Sequence, residues 1–165
     1  MHIGESFVGA GPNAAHINTV LGHRDGPAGT AWATALATPT QGHAPFMVVL
    51  RPNLPVKPLT LFVNKATITD DEHGELTWGP AQAGVAAGVA DAVAEGVIPV
   101  EWADSLVLIT AVWVNPQADA PDEVYRNNRK ATREALAIGA WGGPTVDAVL
   151  AASTRPTNPF FNAPE

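Results

Sequence analysis

Cysteine is absent from this chain, so disulfides, iron–sulfur ligation and thiolate chemistry are excluded at the outset. Charge is scarce: 15% of the 165 residues are Asp, Glu, Lys or Arg, with nine basic side chains against sixteen acidic ones. The resulting formal charge of −7 argues against nucleic acid or an anionic membrane surface as a partner, because both are met by clustered Lys and Arg. No apolar run approaches ~20 residues, and the opening MHIGES is neither basic nor apolar. Neither a membrane span nor a leader is therefore expected, and a cytoplasmic protein is the expectation. Metal-ligand spacing is also missing. His2, His23, His43 and His73 stand singly, without HxH or HxxxH, so no metal site is expected. GxSxG, P-loop and paired-carboxylate patterns are absent. Gly9-Ala10-Gly11 begins like a dinucleotide fingerprint, but a strand-like segment follows it where the phosphate-binding logic needs a helix N-terminus.

What is present is a folding chain: 46% hydrophobic residues, 15 Gly, 15 Pro and five Trp. Its length suits one compact domain burying on the order of 70% of its unfolded surface. So little charge leaves apolar surface to cover, and a subunit interface is a natural place for it.

Along the chain the two hydrophobic periods alternate. Ile3 to Val8 and Ala15 to Leu21 read as paired strands joined by the turn Gly9 to Asn13. Gly29 to Thr38 reads as a helix ended by Pro39, and Phe46 to Leu50 as a short buried strand. RPNLPVKP, residues 51–58, is an extended or turning loop. Leu59 to Thr69 alternates and is rich in β-branched residues, which predicts a strand. Asp70-Asp71-Glu72 reads as a solvated hairpin turn, and Gly79-Pro80 as the start of a helix whose apolar stripe is Val85, Val89 and Val93, capped by Gly96. Ser105 to Val114 is a buried strand, and Asp122 to Ile138 a helix with Val124, Ala131, Ala135 and Ile138 inward. The chain turns irregular from Trp141-Gly142-Gly143-Pro144 onward. The reading is one α+β domain over residues 1–165, with its core at about 3–138 and an extended tail at 139–165.

Five polar residues stand out. In the second strand His16, Asn18 and Val20 share one face, and Ile17, Thr19 and Leu21 share the other. The second set suits a core, leaving the imidazole and the amide toward a cleft, a partner or solvent. A histidine there either satisfies a backbone carbonyl or moves a proton near neutral pH. Lys65, with Thr67, interrupts the apolar face of Leu61 and Val63; it is either a snorkelling strand-end lysine or a functional one. Gln82 lies on the stripe of Val85 and Val89, as a satisfied structural amide or as a reader of a polar ligand edge.

Several segments together resemble the formaldehyde-activating enzyme family: Gly4 to Gly9, Asn13 to Ile17, Pro52 to Pro58, Asn64 to Ile68, Gly79 to Gln82, Asp91 to Pro99 and Lys130 to Thr132, with Asn158-Pro159-Phe160 near the end. They occur in the family's order and spacing. The resemblance implies condensation of formaldehyde with tetrahydromethanopterin, giving methylene-tetrahydromethanopterin and water. Tetrahydromethanopterin is then a co-substrate, with no permanently bound cofactor. It implies a mixed or antiparallel sheet with helices on one face, like the second domain of a small-subunit ribosomal protein. It also implies a homopentamer with the pterin between neighbouring subunits. The family's proton donor falls on His16, and its pterin contacts on Asn18, Met47, Lys65, Thr67 and Gln82. Met47 replaces a leucine, a mild change of volume. Two positions depart further from the pattern: Asn18 stands where aspartate is usual, and Arg129 where tyrosine is common. These two departures keep open an alternative, a pterin- or aldehyde-binding carrier or sensor with little catalysis.

Overall fold

A computed structural model describes residues 1–140 and 142–164. Trp141, part of the irregular stretch expected after the last long helix, lies outside the described residues. Strand β1 (His2–Val8) and strand β2 (Ala15–His23) form the expected antiparallel pair, in a register that sets Phe7 opposite His16 and Glu5 opposite Asn18. β2 pairs in turn with β7 (Leu106–Trp113), His16 opposite Trp113. β7 runs parallel to β6 (Leu59–Asn64), and β3 (Phe46–Met47) closes the sheet, giving the order β1-β2-β7-β6-β3. The fold is α+β with a mixed sheet.

Alternation along β2 decides which face is covered. Ala15, Ile17, Thr19 and Leu21 are buried, whereas His16, Asn18 and Val20 are only half-buried. The inner face lies under two long helices, α3 (Gln82–Ala94) and α4 (Pro121–Ala140). Ser6, which points inward from β1, donates to the Glu134 carboxylate of α4 at 3.0 Å. Val85 and Val89 of α3 are fully buried in this core beside Ile17, Phe62, Leu108 and Val112. α3 and α4 approach so closely that a Cβ on Gly84 or Gly88 would stand 2.5 Å from a carbonyl oxygen of Tyr125 or Arg129. Only glycine fits at such a crossing. Helix α1 (Pro27–Ala37) touches the other side of the sheet: a Cβ on Gly22, which shares the face of His16 and Asn18, would meet the Ala28 Cβ at 2.9 Å. No helix of the described residues is long and apolar enough to cross a membrane.

Several local expectations are corrected. Asp70-Asp71-Glu72 is no hairpin turn but the beginning of helix α2 (Asp71–Leu76): the Asp70 carboxylate accepts the His73 backbone N–H at 2.8 Å, and Asp71 and Glu72 fill the first turn, where the helix dipole favours acids. Gly79-Pro80 therefore starts nothing; it sits mid-run in a wide π-type turn, Thr77–Ala81, between α2 and α3. A wide turn accommodates a proline that has no N–H to offer and whose ring crowds the preceding turn. β6 stops at Asn64, five residues short of Thr69. The Asn64 amide donates to the carbonyls of Gly42 and Ala66 at 2.7 and 2.8 Å, bending the chain out of the ladder. Phe46 to Leu50 is broken at Val48, its one fully buried residue, into β3 and β4 (Val49–Arg51). The proline-rich loop contains β5 (Leu54–Pro55), folded back on β4 through Asn53 at φ 67°. Val124, Ala131 and Ala135 are buried as expected, but Ile138 is 44% exposed. The tail is not structureless: it forms α5 (Val146–Ala152), capped by the Thr145 hydroxyl, and a small hairpin of β8 (Thr157–Asn158) with β9 (Phe161–Asn162).

Candidate active site

The outer face of the sheet gathers the chemistry. Cross-strand pairing lines up Phe7, His16 and Trp113 in one row and Glu5, Asn18 and Ala111 in the next. Lys65 follows the last residue of β6 and is tied to β7 through its backbone N–H, which donates to the Val112 carbonyl at 2.7 Å. Its Nζ donates to Asn18 Oδ1 at 2.8 Å. His16 Nε2 lies 2.9 Å from Glu5 Oε1. With Nε2–H donating to that carboxylate, a neutral ring keeps Nδ1 free as an acceptor.

Glu5 escaped the reading of the sequence. Its signal was available in the alternation of GESFV, which sets Glu5 and Phe7 apart from Ser6 and Val8, but only the register with β2 brings the carboxylate to the imidazole.

Electrostatics follow from this placement. Burial, and secondarily the Lys65 ammonium, hold His16 below the ordinary imidazole value, while the Glu5 carboxylate opposes them. Lys65 is lowered to about 8, again chiefly by burial and against the pull of Glu5. Two titratable groups, both held below their ordinary values, thus share one half-buried face, the pattern of a site that moves protons.

The tail contributes an aromatic wall. Phe160 packs edge-on against Trp113 and Phe7, with ring centroids 6.0 and 6.3 Å away, and Phe7 lies 5.9 Å from the His16 ring. Phe160 is itself 78% exposed. Beside it opens a cleft of about 640 Å³, lined by Phe7, Gly11, Trp113, Asn115, Pro159 and Phe160.

The remaining expected site residues lie elsewhere. The Thr67 hydroxyl is 3.1 Å from His43 Nε2, and His43 Nδ1 is 2.9 Å from the Asn64 carbonyl. A carbonyl only accepts, so Nδ1 carries the proton and Thr67 donates to Nε2. Met47 and Gln82 line a different concavity at the β3 edge, with Phe46 and Trp78. Gln82 Oε1 accepts the Val49 N–H at 2.6 Å, which fixes β4 to α3. Met47 pairs with Leu61, four residues before Lys65 and therefore about 13 Å away along an extended chain. One copy brings His16, Asn18, Lys65 and Glu5 together; it does not bring Met47 and Gln82 to them. Arg129, the second departure, is remote from this face: it grips Asp91 across the α3–α4 crossing with contacts of 2.6 and 2.9 Å.

Comparison with known proteins places the chain in a family. The model of the formaldehyde-activating enzyme family matches residues 3–161. The chain is 44% identical over 158 residues to the 5,6,7,8-tetrahydromethanopterin hydro-lyase of Methanosarcina barkeri, covering 96% of this chain and 89% of that protein. It is also 44% identical over 158 residues to the bifunctional enzyme Fae/Hps of Archaeoglobus fulgidus, and 45% identical over 150 residues to that of Methanococcoides burtonii. It covers 40% and 38% of those two longer proteins, which in turn match 96% and 91% of this chain. The chain belongs to the formaldehyde-activating enzyme family.

Proposed function

We propose that this protein condenses formaldehyde with tetrahydromethanopterin to methylene-tetrahydromethanopterin and water, with His16 as general acid. The observation that carries this reading is the cluster of Glu5, His16, Asn18 and Lys65 on the outer sheet face of a chain from this family. Formaldehyde adds to a pterin amine unaided, giving a hydroxymethyl amine. The slow step is loss of that hydroxyl to leave an iminium cation, which the second amine traps in a ring. Hydroxide leaves once it is protonated, and His16 is placed to protonate it, a contribution of roughly a hundred- to ten-thousand-fold. Glu5, on Nε2, orients the ring so that Nδ1 faces the reactants, and its charge steadies the imidazolium. Holding the aldehyde and both amines together adds a proximity contribution.

The pterin contacts on Asn18, Met47, Lys65, Thr67 and Gln82 are part of this proposal. Since Met47 and Gln82 stand apart from Lys65 within one chain, the reading places the pterin at a seam, where the β3 edge of one copy meets the His16 face of the next, in a homopentamer. Exposed apolar side chains at that edge, Met47, Leu50, Leu54 and Trp78, support such a seam. The protein is then cytoplasmic and needs no resident cofactor. Stopped-flow measurement of methylene-tetrahydromethanopterin formation tests the activity: a rate above the uncatalysed one is expected, and a rate equal to it would leave a binding protein. Light scattering should give a mass several times 17.1 kDa; a monomer would end the shared site.

A further inference from the structure

The chain has three lysines, and their partners differ in kind. Lys57 is ion-paired with Asp104, and Lys130 Nζ lies 3.8 Å from the Glu134 carboxylate. Both are more than half exposed. Lys65 is half-buried, and its hydrogen-bond partner is the neutral amide oxygen of Asn18. Among the described residues no carboxylate lies within ion-pair distance of its Nζ; Glu5 acts on it through space and gives its short contact to His16. The groups facing Lys65 are Glu5 from β1, His16 and Asn18 from β2, and the untitratable Ala111 and Trp113 from β7.

A carboxylate partner would hold the lysine as an ammonium, which has no lone pair. An amide oxygen accepts a hydrogen bond from the amine as well as from the ammonium, and leaves the amine's lone pair free. Burial weights the balance the same way, holding Lys65 down to about 8. An amine poised beside an imidazole acid, in a protein that handles an aldehyde, is a Schiff-base arrangement.

We propose that Lys65 is a covalent relay for the aldehyde, capturing formaldehyde on Nζ and passing the carbon to the pterin. The proposal rests on the condensation reading above. The Nζ lone pair adds to the carbonyl carbon, and the oxygen takes up a proton, giving Lys–NH–CH2–OH. His16 protonates the hydroxyl, the C–O bond breaks, and water leaves behind the iminium Lys–NH+=CH2. A pterin amine attacks the methylene carbon; after proton transfer to Nζ the C–Nζ bond breaks, restoring the free amine and leaving the methylene on the pterin as an iminium. Closure of the pterin ring by its second amine releases the proton that His16 gave. Nothing is oxidised or reduced, and the sum is the uncaptured condensation.

Isotope-labelled formaldehyde with cyanoborohydride tests this step, because hydride converts the lysine iminium into a permanent N-methyl group. Brief exposure of the intact protein near pH 7, followed by peptide mass spectrometry, should show Lys65 methylated roughly tenfold faster than Lys57 and Lys130 despite its lower exposure. Labelling of Lys65 no faster than the two surface lysines overturns the proposal. Asn18→Asp, with folding checked by circular dichroism, should slow labelling at Lys65 severalfold and leave Lys57 and Lys130 unchanged; an unchanged rate at Lys65 also overturns it. Protein dimethylated at Lys65 by prolonged treatment, whose tertiary amine can form no iminium, should lose condensation activity, and full activity would show capture to be off the reaction path. The two readings fail separately. An active enzyme with unlabelled Lys65 removes the relay alone, whereas labelled Lys65 in a protein without turnover supports capture and removes the condensation.

Discussion

The two faces of β2 are built from alternate residues of one nine-residue strand and do opposite things. Ala15, Ile17, Thr19 and Leu21 face α3 and α4 and are at most 5% exposed; even the Thr19 hydroxyl is used, donating to the Gly4 carbonyl. His16, Asn18 and Val20 face outward, and two of those three are engaged by other side chains, Glu5 of β1 and Lys65 just past β6. The inner face contributes burial, which is non-directional and tolerant of exchange among apolar side chains of similar volume. The outer face contributes polar geometry, which is not tolerant. Stability and chemistry are thus separated by the strand's period of two, so neighbours in sequence should fail in different ways.

Four substitutions test that separation, and a fifth tests its reach. The largest effect belongs to His16→Ala: turnover should fall by roughly 10²- to 10⁴-fold at saturating pterin with the melting temperature unchanged. Unchanged turnover would take the proton donor off this face. Next along the chain, Ile17→Ala should cost about 3 kcal/mol of stability, lowering the melting temperature by roughly 10 °C, while the folded fraction keeps its turnover. A catalytic defect without a thermal one would erase the distinction between the faces.

Asn13→Ala comes third, at about 2 kcal/mol by denaturant titration. Asn13 is buried, donates to Asp119 at 2.9 Å, and accepts the N–H groups of Asp119 and Ala120, tying the turn before β2 to the approach of α4. A loss below about 0.5 kcal/mol would mean that α4 holds the strand without it.

Asn18→Asp should move a pH profile rather than a melting curve. A general acid must carry its proton, so activity falls as pH rises through the imidazole's pKa. Burial and Lys65 hold that pKa down, and a carboxylate on the same face opposes both. The alkaline limb of kcat should therefore move to higher pH, and a limb that stays in place would detach it from His16. The smallest effect is expected from Arg129→Ala, which removes a partly exposed ion pair on the far side of the molecule: about 0.5 kcal/mol, with turnover unchanged. A large loss of turnover would make the helix layer part of the site.

How much of this was legible in the sequence depended on distance along the chain. The faces of β2 could be read because a period of two is written locally, and the stripe of Val85 and Val89 because a helical period is too. The start of α2 was equally local, since an aspartate followed by two acids is a good N-terminal pattern, but the same charge run also suits a solvated turn. The end of β6 was not local: Thr67 and Ile68 have strand propensity, and what stops the strand is Asn64 bonding to Gly42, twenty-two residues away. Site residues divide the same way. His16 and Asn18 could be paired from spacing alone, whereas the link from Glu5 to His16 and that from Lys65 to Asn18 exist only once the strand order is known. Arg129, read as a departure bearing on function, is absorbed by Asp91 on α3, a partner no short-range pattern names.

The cross-strand row of Phe7, His16 and Trp113 has a consequence for how this lineage of sequences can vary in length. The stretch from Gly9 to Ala14 carries β1 into β2 and sets where their pairing begins. Were β2 to slip by one residue against its neighbours, Ile17 would stand opposite Phe7 on the outer face and His16 would turn under α4. A turn that absorbed an extra residue without such a slip would leave every side chain on its face. Composition and length in this turn are free to drift as long as the register holds, so a one-residue slip would be a more damaging event than many substitutions.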